Sequence, residues 1–336
     1  MTRPATSFTE GPLSPAQAAL VVTLAEVARQ SDGVAALSEH ALLHVRHPNA
    51  EPAGGEGTGA ARDLLVVRDG TAVAYAHLDT APDLETGDLS GELVVHPAHR
   101  RRGHGSALVA SLLSGPPRPA GSPRSPARGA RAAGGSRRGG IRLWAHGDLP
   151  SAAAFAEAKG FRRARSLWQM RKPLAAGPEL PDPVFPPGVT VRTFVPGQDE
   201  EAWLAVNASA FAHHPEQGAW TRADLDLREA EPWFDPKGFF LAEREGELVG
   251  FHWTKIHADG PDGTPEGEVY VVGVSPGRQG GGLGRALTLA GLRYLRDRGL
   301  GHVMLYVDED NTAAARMYAA LGFSRRNTDV MYLHPR

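Results

Sequence analysis

Five glycines fall between positions 277 and 284, inside the stretch VSPGRQGGGLGRAL that begins at Val274. With so little side chain, the backbone there can curl around an anion and aim successive N–H groups at it. The chemistry this suits is phosphate or pyrophosphate binding. Spacing excludes two familiar phosphate loops. Gly277 and Gly282 fit the glycines of G-x-x-x-x-G-K-[ST], but Leu283 stands where the lysine is required. In G-x-G-x-x-G, with Gly282 and Gly284 as the first pair, the third glycine would fall on Leu287. What remains is Q-x-x-G-x-G, from Gln279 to Gly284.

Such a loop needs a strand to deliver it and a helix to receive it. EVYVVGV precedes it, and RALTLAGLRYLRDRG, apolar at helical spacing, follows. The arrangement occurs twice. LVVHPAHRRRGHGSALVASLL at 93–113 matches VGVSPGRQGGGLGRALTLAGL at 272–292, with R-x-x-G-x-G from Arg100 to Gly105. LWAHGDLPSAAAFAEAKGF at 143–161 matches LYVDEDNTAAARMYAALGF at 305–323 without a gap. An internal repeat of this kind predicts two related domains. The first helix has Ser14 to cap it, Pro15 at its first position and Gln17 in the capping-box place. Hairpins are expected at Asp69-Gly70 and Glu245-Gly246. The expectation is an α/β chain of two tandem domains, each a mixed, mostly antiparallel central sheet flanked by helices.

The 336 residues suit two domains, and a net charge of −2 gives no general attraction to nucleic acid or an anionic membrane. With no cysteine, disulfides, thiolate metal sites and a cysteine nucleophile are excluded. No leader pattern or apolar span is visible, so a cytoplasmic protein is expected. KPLAAGPELPDPVFPPG, at 172–188, is proline-rich, and the boundary is placed within it, giving domains 1–177 and 178–336. GPPRPAGSPRSPARGARAAGGSRRGG, at 115–140, holds six arginines and no acid, and reads as a disordered surface insertion in the first domain. It lacks the interleaved aromatics that stack on bases.

The order strand, Q/R-x-x-G-x-G, helix, strand, then N-x-x-A-x-x-x-Y-x-x-x-G-F (Asn311, Ala314, Tyr318, Gly322, Phe323) resembles the GCN5-related N-acetyltransferases, over both halves. NASAFAHHPEQGAWT, WFDPKGFFLA, LVGFHWTKIH and GEVYVVGVSP are similar to the branch of that family that acetylates the cysteinyl amine of cysteinyl-glucosaminyl-inositol. The resemblance implies acetyl-CoA as cosubstrate and a small thiol-sugar as substrate, with no nucleic acid, membrane or metal, in a monomer. It implies a pyrophosphate held by Gln279, Gly280, Gly281, Gly282, Leu283, Gly284 and Arg285, and a pantetheine arm along Val272, Gly273 and Val274. Asn311, Thr312, Ala313, Ala314, Ala315 and Arg316 would complete the cofactor site. In the first half Leu93, Val94 and Val95, then Arg101, Arg102, Gly103, His104, Gly105 and Ser106, occupy the matching places.

Acetyl transfer from a thioester to an amine needs a neutral amine, a polarised carbonyl and a proton for the departing thiolate. In that context Glu268 is the candidate base, directly or through a water, and as a strand residue it is expected to share a face with Tyr270, Val272 and Val274. Tyr318 is the candidate acid. The resemblance carries over Glu39, Glu216, Lys255, Glu268 and Tyr306 as substrate ligands. Carboxylates there accept from hydroxyl and ammonium groups and Lys255 donates to sugar oxygens, and Glu39 makes the substrate bridge both halves. The repeat sets Ala156 against Tyr318, Leu149 against Asn311, Trp144 against Tyr306 and Leu89 against Glu268. The first half is therefore expected to bind acetyl-CoA or brace the fold without catalysing.

Other readings fit the same residues: acetylation of another small amine or a peptide N-terminus, or a non-catalytic acyl-CoA sensor. HALLH (His40, His44) and His213-His214 invite a metal, but neither pair has a third ligand in the sequence. Gly280 and Gly281 stand where such loops often carry arginine. Only Arg278 and Arg285 remain beside the pyrophosphate, and a weaker or more salt-sensitive grip on the cofactor is expected.

Overall fold

The computed structural model describes residues 6–47, 61–83, 86–114, 139–174, 180–212, 214–260 and 263–335. All but the last two positions of the arginine-rich insertion lie outside them, as does His213. The described chain falls into two compact units, one running to Arg165 and resuming at Asp329, the other comprising Ser166–Thr328.

The first unit contains β1 (Thr6–Glu10), α1 (Pro15–Asp32), α2 (Glu39–Arg46), β2 (Ala61–Arg68), β3 (Thr71–Asp79), β4 (Leu89–Val95), α3 (His104–Ser114), β5 (Ile141–Ala145) and α4 (Pro150–Ala158). A long strand, β6 (Arg162–Pro173), leads out of it. The second unit has β7 (Val189–Thr193), α5 (Glu200–Ala210), α6 (Pro215–Gly218), α7 (Arg222–Glu229), β8 (Phe239–Arg244) and β9 (Glu247–His257). It continues with β10 (Glu266–Val274), α8 (Leu283–Asp297), β11 (His302–Asp308), α9 (Thr312–Ala320) and β12 (Ser324–His334).

Each sheet repeats one plan. β1, β2, β3 and β4 are successive antiparallel neighbours, and β4 then runs parallel to β5. Likewise β7, β8, β9 and β10 are antiparallel in turn, and β10 runs parallel to β11. The sixth position is exchanged. β5 pairs with β12, Val330 opposite Ala145, while β11 pairs with β6, Met304 opposite Arg171. Each unit is thus closed by a strand that its own repeat does not supply.

Local chemistry explains the elements. The Ser14 hydroxyl accepts from Gln17 N, and the Gln17 side chain accepts from Ser14 N, so the capping box forms as expected. Asp69 and Gly70 turn with φ of 51° and 78°, Glu245 and Gly246 with 57° and 82°, the doubly positive geometry of tight hairpins. Cores lie on both faces of each sheet. In the second unit Trp203 of α5 is fully buried against Phe239, Phe251 and Trp253 of the sheet. Phe239 stacks on Trp253 at 4.5 Å. The opposite face packs Val269 and Val272 with Leu289, Leu292 and Tyr318 from α8 and α9. Among the described residues no helix is long and apolar enough to cross a membrane.

Candidate active site

β10 and β11 pair at three rungs only: Gly267–Val303, Glu268–Met304 and Val269–Leu305. Beyond Val269, β10 stays paired with β9 but has parted from β11. Ser275 N–H donates to Val249 O. Main-chain groups alternate in direction along a strand, so those of Val274 and Val272 point away from β9, at the open edge. A slot therefore opens just past Glu268, edged by peptide groups of Val272 and Val274 that do not pair with β11.

The loop follows at once. Gly280 and Gly282 hold φ of +87° and +83°, with nothing within 4 Å of where a Cβ would stand. α8 begins on Gly282 with no side-chain cap and no acid in its first turn. The N–H groups of Leu283, Gly284 and Arg285 are thus left for an anion, at the positive end of a fifteen-residue helix. Arg278 and Arg285 are exposed beside it. Gln279 is exposed too, and its Nε2 donates to Val274 O at 3.2 Å, which braces the loop on the strand.

Glu268 does not share a face with Val272 and Val274, contrary to the alternation expected from sequence. Val269 lies opposite Thr254 and Val271 opposite Trp253, which leaves Tyr270 as an extra residue in a bulge. The bulge resets the alternation. Val272 and Val274 pack toward α8, while Tyr270 joins the aromatic face with Trp220, Trp233 and Trp253. Glu268 is buried, and its Oε2 lies 2.7 Å from His257 Nε2. Lys255, its cross-strand neighbour, is buried with Nζ 4.4 Å from the Trp233 ring centre and 5.1 Å from that of Tyr270. His257 is a residue that motif reasoning misses. Counting by twos from Lys255 along β9 finds it, because residues 253, 255 and 257 share a face.

Tyr306, on β11, is half exposed and accepts at its hydroxyl from Gln169 Nε2 at 3.2 Å. Glu216 lies in α6 and its side chain is outside the described residues; Glu39 opens α2 in the first unit. Tyr318 is buried on α9, edge-on to Phe323 at 5.7 Å, with no hydrogen bond to its hydroxyl among the described residues. Burial pushes that hydroxyl up to about 12, so it keeps its proton at any physiological pH. The helix is fixed by Asn311, whose side chain accepts from Ala314 N at 3.1 Å. Asn311→Ala is expected to lower stability by about 1 kcal/mol in urea denaturation, and no change would remove the cap from this account. Thr312, Ala313 and Arg316 line the exposed side of the first turns, with Ala314 and Ala315 half-buried.

The copy in the first unit differs in three ways. β4 pairs with β3 without a bulge and with β5 as far as Glu92, two positions further along the repeat than in the second unit, so its slot is shorter. Arg100 spends its guanidinium on both carboxylate oxygens of Asp32 and on Val95 O. Arg101 holds φ of +61° where its counterpart is Gly280. Glycine there relieves a left-handed backbone that arginine bears at roughly 1–2 kcal/mol, a physical reason for glycine at that position. Leu93, Val94 and Val95 end β4; Arg102 and Gly103 are exposed, and His104, Gly105 and Ser106 begin α3.

Two units, each with a parted pair of parallel strands, a glycine loop and a helix, define an acetyltransferase class. The acetyltransferase (GNAT) family pattern matches residues 28–114 and 205–323, and the chain belongs to that family. A relative from Thermomonospora curvata, a mycothiol acetyltransferase, is 54% identical over 98% of this chain and 97% of its own. Another of that name, from Streptomyces coelicolor, is 49% identical over 98% and 96%. Among solved structures, a GCN5-related N-acetyltransferase from Sphaerobacter thermophilus has a TM-score of 0.61 at 27% identity, covering 97% of this chain and 95% of that one. A tandem GNAT protein from the clavulanic acid biosynthesis pathway reaches 0.66 at 19%, covering 97% and 98%, and shares the fold.

Proposed function

We propose that the second unit transfers the acetyl group of acetyl-CoA to the cysteinyl amine of cysteinyl-glucosaminyl-inositol, as in mycothiol formation. The observation that carries this reading is the slot itself. β10 parts from β11 immediately after Glu268, beside a glycine loop at a helix N-terminus. That relatives about half identical over nearly the whole chain are mycothiol acetyltransferases supports the substrate.

In this reading the loop amides hold the pyrophosphate and the open edge of Val272 and Val274 receives the pantetheine amides. An N–H on that edge polarises the thioester carbonyl. Glu268 accepts the proton that the ammonium must lose, and His257 steadies one carboxylate oxygen so that the other faces the substrate. The neutral amine attacks the carbonyl carbon and a C–N bond forms; as the C–S bond breaks the thiolate takes the Tyr318 proton, and the proton that the new amide nitrogen sheds returns through solvent to Tyr318. Lys255 and Tyr306 offer donors to sugar oxygens, with Glu216 as a further ligand. The first half keeps a loop but has Leu89 and Ala156 in place of Glu268 and Tyr318, so it carries no chemistry.

Purified protein incubated with acetyl-CoA and cysteinyl-glucosaminyl-inositol is expected to yield the N-acetylated thiol, resolved by chromatography after thiol labelling. Absence of product with turnover of another amine would sink the substrate assignment. The loop makes a second prediction. Gly281 has no positive φ, and a Cβ there would meet only Pro186 Cγ, at 3.9 Å. Gly281→Arg is therefore expected to lower the KM for acetyl-CoA several-fold at low salt, with the gain lost at high salt. A gain that survives high salt would point away from a charge effect.

A further inference from the structure

On sequence alone His40 and His44 are two imidazoles one helical turn apart without a third ligand. The fold of the first unit parts the two and gives His40 other partners. β3 brings His77 and Asp79 beneath α2, and β2 adds Asp63. His40 Nε2 lies 3.2 Å from Asp79 Oδ1, and His77 Nε2 lies 3.2 Å from the same oxygen. All three donor atoms fall within 4.8 Å of one another. We propose that His40, His77 and Asp79 form a binding site for a divalent ion of the zinc type, with Asp63 orienting His77.

The geometry suits such an ion. Nitrogen and oxygen ligands about 2.0–2.1 Å from a tetrahedral zinc stand roughly 3.3 Å apart, close to both measured edges. The donor set, two imidazoles and a carboxylate, matches zinc sites that leave a fourth position to water. His77 is 1% exposed at its side chain, whereas those of His40 and Asp79 are 54% and 31% exposed. The site thus has a fixed floor and an open mouth through which an ion can enter.

The surrounding groups distinguish this triad from its neighbour. His44, Asp63 and His77 Nδ1 also lie close together, but the Asp63 carboxylate is already engaged. It accepts from the Tyr75 hydroxyl, from His77 Nδ1 at 3.1 Å and meets His44 Nε2 at 3.1 Å. With Nδ1–H donating to Asp63, His77 can give up the Nε2 proton it shares with Asp79 and offer that nitrogen to an ion, the usual support for a metal-bound imidazole. Asp63 is a positioning residue. Filling the site would tie the first turn of α2, where Glu39 precedes His40, to the sheet.

The competing account is a set of hydrogen-bonded ion pairs that holds no metal. Untagged full-length protein stripped with chelator and dialysed against Zn(II) separates the two. One zinc per chain is expected. His40→Ala and Asp79→Asn should each weaken binding at least about tenfold, and Asp63→Asn by about 10–100-fold. His40 is exposed, so its replacement leaves the fold intact, as circular dichroism would verify. Co(II) should give the strong visible bands of a four-coordinate ion in the parent protein and lose them in His40→Ala. Failure to retain zinc overturns the proposal. So does equal retention by His40→Ala and Asp79→Asn, since the ion would then sit elsewhere.

Discussion

Glu268→Gln is expected to reduce kcat/KM for acetyl transfer by about 10²–10⁴-fold, the range for losing a general base. The replacement is isosteric and its side-chain oxygen can still meet His257, so the buried site stays filled. What it loses is the capacity to take a proton. The cofactor loop lies beyond Val274, so the KM for acetyl-CoA should hold while the turnover number falls. A variant within about threefold of the parent would remove Glu268 from the chemistry and leave it a structural carboxylate. His257→Gln separates positioning from chemistry: it should lower turnover less than Glu268→Gln and leave cofactor binding alone.

Tyr318→Phe should lower turnover by about 10²-fold, the low end of the range for an acid catalyst. Its pH profile is the sharper readout. Burial raises the Tyr318 hydroxyl from its ordinary value of 10.0 to about 12. The acid therefore stays protonated throughout the range in which an α-amine, with a pKa of about 7.7–8.0, becomes neutral. The parent rate should rise through pH 8 and stay level to about pH 10, whereas an unshifted tyrosine would bring it down there. The Phe variant should keep the rise with a lower plateau. An acetyl donor whose thiol is far more acidic than that of coenzyme A needs no proton on departure, and with it the defect should nearly vanish. A defect of equal size with both donors would mean that Tyr318 only packs the core.

Much of the molecule was legible where the signal is local. The loop, the hairpin turns and the capping box of α1 depend on a few consecutive residues and their backbone angles, and the repeat doubled the signal of the loop. The bulge at Tyr270 was not legible, because it exists only in the pairing of β10 with β9, and EVYVVGV reads as an unbroken strand. For the same reason His257 and the partners of His40 were hidden: cross-strand and helix-to-sheet neighbours are separated by many residues in the chain. The destination of β6 and β12 was equally silent, since nothing within either strand says which edge it will meet.

That exchange of strands reaches into how the chain is made. The first unit receives its sixth strand from residues after Thr328, so its sheet stays one strand short while residues 166–328 are being translated. At roughly 5–20 residues per second that is an interval of roughly ten to thirty seconds. Through it the β5 edge stands unpaired, the kind of edge that recruits the wrong neighbour. The order of synthesis thus leaves the first-made half to be finished last, and a chaperone that shelters exposed strand edges should matter more to this chain than to one whose domains close in sequence.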